Sequence, residues 1–161
     1  MAKTLYTLEV CIIEGPMTEP FVEANPVICR TIEIRGQQTL QHLHLAIFDA
    51  FDREEEHMYE FQFGTGPHDQ DGDRYVLPME FNDPLDADSQ ATGDLTRTTV
   101  DSLGLAVGQA FGYWFDFGDD WYHQVNVVAI GEAMPKVKYP RITARVGESP
   151  PQYMDYEEDD E

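Results

Sequence analysis

A chain of 161 residues, 42% hydrophobic and 12% aromatic, is long enough for one real core and too short for two comfortable domains. Its 31 acidic against 10 basic residues leave a formal charge of −21. Such a surface repels phosphate backbones and anionic bilayers, so direct nucleic-acid or membrane binding would need a local basic patch. The Lys and Arg residues read as scattered, which favours a cation, a basic protein partner or high-salt solubility.

The first residues, Met1-Ala2-Lys3-Thr4, lead into a strand pattern without the apolar run of a signal peptide or bilayer span, and the expected setting is the cytoplasm. Residues 5–13 alternate loosely and are rich in strand formers, until Glu14-Gly15-Pro16 breaks the run. Pro20 and Pro26 keep the following link irregular, and residues 27–34 form a second strand with no purely apolar face. The two strands are expected to pair antiparallel. Cys11 and Cys29 lie in these runs and are expected as buried free thiols in a reducing compartment.

Thr39, or Gln38 before it, reads as a helix N-cap, with Leu40, Leu43, Ile47, Phe48 and Phe51 recurring at helical spacing. His42, three residues on, offers no carboxylate for a capping box. His44 lies beside the apolar stripe and is expected at the core boundary, hydrogen-bonded to backbone. An acidic connector over residues 52–56 leads to a third strand at 58–63, with Tyr59, Phe61 and Phe63 on one face.

From residue 64 to 98 Gly, Pro, Asp and Asn dominate, and only residues 75–79 look like a short strand. Connections of this length are uncommon in compact domains and tend to be functional or mobile. Asp69, Asp71, Asp73 and Glu80 match the acid positions of a calcium loop, but Arg74 stands where the turn needs Gly and no helices flank the segment. They are weak metal candidates, and a solvated acidic loop is the plainer reading. Residues 99–105 suit a helical turn with Leu103 inward.

The chain is organised around Tyr113-Trp114-Phe115-Asp116-Phe117-Gly118-Asp119-Asp120-Trp121-Tyr122-His123. Phe111, Tyr113, Phe115 and Phe117 read as one face of a strand, Gly118-Asp119-Asp120 as a turn, and residues 121–130 as the returning strand. So aromatic a hairpin anchors a core. Trp121 is expected to be buried against the helix, and Asp119 is expected to accept the backbone N–H bonds of the turn. Beyond Lys136 the chain is punctuated by Pro, and residues 155–161 hold six acids, read as a disordered tail. The expected organisation is a single domain over residues 1–150 followed by an acidic tail over 151–161.

Several blocks carry a resemblance: Val27-Ile28-Cys29-Arg30-Thr31-Ile32, Thr39-Leu40-Gln41-His42-Leu43-His44, Glu55-Glu56-His57-Met58-Tyr59-Glu60-Phe61 and Tyr139-Pro140-Arg141. The most specific is Asp116-Phe117-Gly118-Asp119-Asp120-Trp121-Tyr122-His123. Together they resemble the plasmid pRiA-type Orf-three-like family, also met as passengers of insertion elements under a resolvase-like name. The resemblance implies an α+β fold, a mixed or antiparallel sheet of about five strands with one main helix across it, and no settled activity. A resolvase would need a serine nucleophile and basic DNA-binding elements, and neither is recognisable. Where many relatives carry a cysteine-containing segment, this chain has Gly147-Glu148-Ser149-Pro150-Pro151-Gln152-Tyr153, so a thiolate site at that end is absent.

The candidate functional cluster is His44, His57, Tyr59, Asp116, Asp119, Trp121 and His123. Imidazoles with carboxylates suit zinc, iron or manganese, but the spacing forms no local ligand motif, and core or turn hydrogen bonding accounts for the same residues. Ser89, Ser102 and Ser149 lack a nucleophile elbow, and Gly64-Thr65-Gly66-Pro67 lacks the ending of a phosphate loop. The reading is a non-catalytic, acidic binding module with a protein partner, no catalytic residue and no obligatory cofactor. The alternative is a metal-dependent hydrolase using His44, His57 and His123.

Overall fold

The structure, a computed structural model, describes residues 4–63, 73–77 and 93–151. In chain order the elements are β1 (Thr4–Glu14), α1 (Glu19–Ala24), β2 (Cys29–Arg35), α2 (Leu40–Ala50), β3 (Tyr59–Phe63), β4 (Asp73–Val76), β5 (Gly93–Asp94), β6 (Ala110–Phe115), β7 (Trp121–Glu132) and β8 (Arg141–Val146). A short 3-10 turn at Asp101–Leu103 precedes β6, close to the expected helical turn, and Leu103 packs against the core.

The strands form one sheet in the order β5-β4-β3-β6-β7-β1-β2-β8. Neighbours pair antiparallel except β4 and β5, which are parallel. The α+β class and the single main helix agree with the sequence reading, but among the described residues the sheet has 8 strands rather than about five. The additional strands have weak signatures. β5 is 2 residues long, and β8, at the sheet edge, exposes most of its side chains and shows no apolar alternation. Arg141 and Arg145 on β8 pair with Glu33 and Asp52, and such edge charges discourage strand addition. Most of the long acidic connection and most of the acidic tail lie outside the described residues. No helix among the described residues is long and apolar enough to cross a membrane.

One sheet face and α2 enclose the core. β1 contributes Tyr6, Leu8 and Val10, β2 Ile32 and Ile34, β3 Tyr59 and Phe61, β6 Phe111, Tyr113 and Phe115, and β7 Trp121, Val125 and Val127. Each set is a period of two, as strand geometry requires. From α2, Leu40, Leu43, Ala46, Ile47 and Ala50 complete it. Thr39 caps α2 by accepting from His42 N, and the His42 imidazole Nδ1 accepts from Thr39 N in place of the missing carboxylate. Trp121 is fully buried, as expected. A Cβ on Gly15 would fall 2.2 Å from Trp121 Cε3, so only glycine lets that backbone close over the indole.

The expectation of free thiols is corrected. Cys11 and Cys29 face each other in the β1–β2 register and form a disulfide. The Ile12 N–H donates to Ile28 O, which makes the neighbouring cysteine pair a non-hydrogen-bonded one, where opposed side chains approach closest.

Candidate functional site

Tyr113 and His123 are register partners on β6 and β7, and their rings turn inward toward α2. His44 on α2 meets them from above. It is fully buried, stacks on Tyr59 with centroids 3.6 Å apart, and places Nδ1 2.6 Å from the Tyr113 hydroxyl. Its Nε2 lies 2.7 Å from Glu56 Oε1. A carboxylate accepts, so Nε2 carries the hydrogen and Nδ1 is left to accept from the Tyr113 O–H. Burial lowers the His44 pKa, with the Glu56 hydrogen bond opposing. Donation from His44 in turn holds the Glu56 carboxyl below its usual range. Burial raises the Tyr113 phenol well above its ordinary value. The three form a hydrogen-bonded chain from the core to a half-exposed carboxylate.

The second half of the network is Arg53 with His123. Arg53 Nη2 donates to His123 Nε2 at 2.7 Å, while His123 Nδ1–H donates to the Tyr113 carbonyl at 3.1 Å. This fixes the neutral tautomer of His123. Its pKa lies well below the ordinary value, first through burial and then through the adjacent guanidinium. Burial brings Arg53 down to about 10, so it stays charged at neutral pH. Aromatic faces surround its charge, with Phe115 at 4.8 Å, Phe51 at 5.2 Å and Trp121 at 5.3 Å. The sequence reading missed Arg53 entirely. The available signal was a single cation in the otherwise acidic 52–56 connector.

The hairpin turn is tied by Asp116 rather than Asp119. Asp116 adopts φ 63° and accepts from Gly118 N at 3.1 Å and Asp119 N at 3.2 Å. Asp119 is exposed, and its pKa is raised by desolvation and by the charge of Asp116. Asp116 leaves the strand alternation, so Phe117 lies beyond β6 instead of continuing its buried face. On the sheet face away from α2, three rings form a ladder. Trp114 stacks on Tyr122 at 5.4 Å and 8°, and Phe117 lies 4.2 Å from Trp114. Trp114 Nε1 donates to Asp120 Oδ1 at 2.9 Å, which fixes the indole. Trp114 and Phe117 remain partly exposed beside the exposed Asp120, and Asp119 is the next exposed residue of the turn.

The expected cluster therefore divides. His44 and Tyr59 stack, Trp121 and His123 are joined through Arg53, and His57 lies 3.5 Å from Asp116. His44, expected to bond to backbone, has side-chain partners instead. The three histidines envisaged for a hydrolase do not share a coordination sphere, because each ring is committed to different groups. Among the described residues, the His, Cys, Asp and Glu side chains close enough to share an ion are Glu9, Cys11 and Cys29. Of the acidic-loop candidates, Asp73 is exposed on β4, and Asp69, Asp71 and Glu80 lie outside the described residues.

The signature of the plasmid pRiA4b ORF-3-like proteins matches residues 21–157. The chain belongs to that family. No curated protein sequence matches it significantly. The crystal structure of a protein of unknown function from Methanosarcina mazei is similar, with a TM-score of 0.68 and 22% identity over 94% of this chain and 74% of that one. At that identity the likeness extends to the fold. The family assignment thus agrees with the resemblance carried by the hairpin motif.

Proposed function

We propose that this member of the pRiA4b ORF-3-like family is a non-catalytic binding module that takes a basic protein segment at the β6–β7 turn. The observation that carries this reading is the Phe117–Trp114–Tyr122 ladder, whose Trp114 and Phe117 rings reach solvent beside Asp120 while Tyr122 is buried beneath them. Stacked rings next to carboxylates attract guanidinium groups through cation–π contact and ion pairing, and Arg suits this better than Lys because its planar group also stacks. The charge of −21 draws a basic partner in and keeps phosphate backbones away. The reactive side chains of the buried network support the same reading, since Tyr113, His44 and His123 are buried in the core with their polar atoms bonded to each other, to Glu56 and Arg53, and to backbone. Within this reading the protein is a passenger of mobile elements acting in the cytoplasm, with no cofactor required for binding.

The test is to map an arginine-rich peptide onto the isotopically labelled chain by NMR. Shifts concentrated at residues 112–122, including the Trp114 indole N–H, are expected. Shifts confined to acidic residues elsewhere would contradict the assignment.

A further inference from the structure

Glu9, Cys11 and Cys29 lie together on β1 and β2, and one ligand atom from each falls within 4.8 Å of the others. Glu9 and Cys11 are two residues apart on one strand and therefore share a face. Cys29 is the direct partner of Cys11 on β2. Tyr6, Leu8 and Val10 point into the core, so this face is the one turned away from α2. Glu9 and Cys11 are partly exposed, and Asn126 Nδ2 donates to Glu9 Oε1 at 3.3 Å, holding the carboxylate near the sulfurs. A carboxylate beside a disulfide gains nothing from it electrostatically. Beside two thiolates it completes a set of two soft ligands and one hard ligand.

We propose that Glu9, Cys11 and Cys29 form a redox-gated site for a thiophilic divalent cation such as zinc. Reduction by a dithiol breaks the S–S bond. Two electrons and two protons pass to the protein, which gains two thiols, while the reductant closes its own disulfide. On binding, the metal displaces both thiol protons to solvent and forms two metal–sulfur bonds, and the Glu9 carboxylate supplies a third ligand. The three negative charges then meet a double positive charge, which removes the repulsion that otherwise opposes two adjacent thiolates. Three protein ligands leave a fourth position for water or an external ligand, the pattern of an open rather than a closed zinc site.

The test uses the full chain, oxidised and phosphine-reduced, titrated with cobalt(II) as a spectroscopic stand-in and then with zinc in competition. Reduced wild type is expected to develop sulfur-to-metal charge-transfer absorption saturating at one ion per chain, and zinc should abolish it. The oxidised chain should show none. Glu9→Gln, a surface change that leaves the fold intact by circular dichroism, should weaken cobalt by at least about tenfold. Cys11→Ser should remove the sulfur band. Absence of that band in the reduced wild type, equal binding by oxidised and reduced protein, or unchanged affinity in Glu9→Gln would overturn the proposal. Cobalt held without sulfur absorption would assign it to surface carboxylates and overturn it equally.

Discussion

Arg53 and His123, 70 residues apart in sequence, meet in the core with a guanidinium nitrogen 2.7 Å from an imidazole nitrogen. The contact requires a neutral ring, because a proton on Nε2 would face the guanidinium N–H directly. Arg53 is 7% exposed and His123 fully buried, so a second positive charge there would meet little screening solvent.

Acid should therefore destabilise the fold through His123. Its pKa is lowered in the folded state, so the unfolded chain binds the extra proton first as pH falls below about 6.5. The contribution is fully present above that pH and is lost on acidification, at up to about 1.4 kcal/mol per pH unit for one proton. His44 is shifted in the same direction and adds to the effect. Denaturant melts of wild type and His123→Gln between neutral pH and about pH 5 should show a shallower pH slope in the variant. Parallel slopes would mean that His123 is not the titrating group.

Trp121 and Gly15 should behave as a coupled pair. Trp121→Ala is expected to cost about 3–5 kcal/mol, as large aromatic deletions in cores do. Gly15→Ala forces a methyl against the indole and should cost about 1–3 kcal/mol in wild type. In the Trp121→Ala background the methyl has room, so the second cost should largely vanish. Additive losses in this double-mutant cycle would show that Gly15 answers to something other than the indole.

The two turn carboxylates should differ. Asp116→Ala removes two backbone hydrogen bonds and places a β-carbon residue without local side-chain bonding at φ 63°. A loss of about 1–3 kcal/mol is expected from chemical denaturation. Asp119→Asn alters an exposed group that accepts none of these bonds and should change stability by less than about 0.5 kcal/mol. The reverse order would contradict the turn described above.

Salt should stabilise the protein. With 31 acidic residues against 10 basic ones, self-repulsion opposes the compact state, and sodium chloride screens it over about 8–10 Å at physiological strength. Thermal melts at low and high salt should show a higher midpoint in high salt. An unchanged midpoint would contradict self-repulsion as a force opposing the compact state.

What was readable in the sequence tracks the strength of local signals. Thr39 and the Leu40, Leu43, Ile47 stripe marked α2, and the alternation of Phe111, Tyr113 and Phe115 marked β6, because burial on one face leaves a period. β8 left none, since its side chains mostly face solvent. Phe117 misled because Asp116 turns the chain at positive φ, which alternation does not register. Arg53 escaped notice for a different reason. Its role depends on rings contributed by Phe51, Phe115 and Trp121, and only the folded hairpin brings the last two beside it. The disulfide is equally non-local, fixed by the β1–β2 register rather than by cysteine spacing.

The most direct measurement on the binding reading is calorimetric titration of an arginine-rich peptide into wild type and a Trp114→Ala, Phe117→Ala variant. The two proteins carry the same net charge, so attraction of the whole acidic chain for the peptide is held constant. Removing the ladder should weaken binding by about tenfold or more, the equivalent of the roughly 1–2 kcal/mol that stacked cation–π contacts supply. A lysine-rich peptide of equal charge should bind wild type more weakly and lose less on substitution. Equal affinities of wild type and variant for the arginine-rich peptide would contradict the account, leaving general acidity as the source of binding.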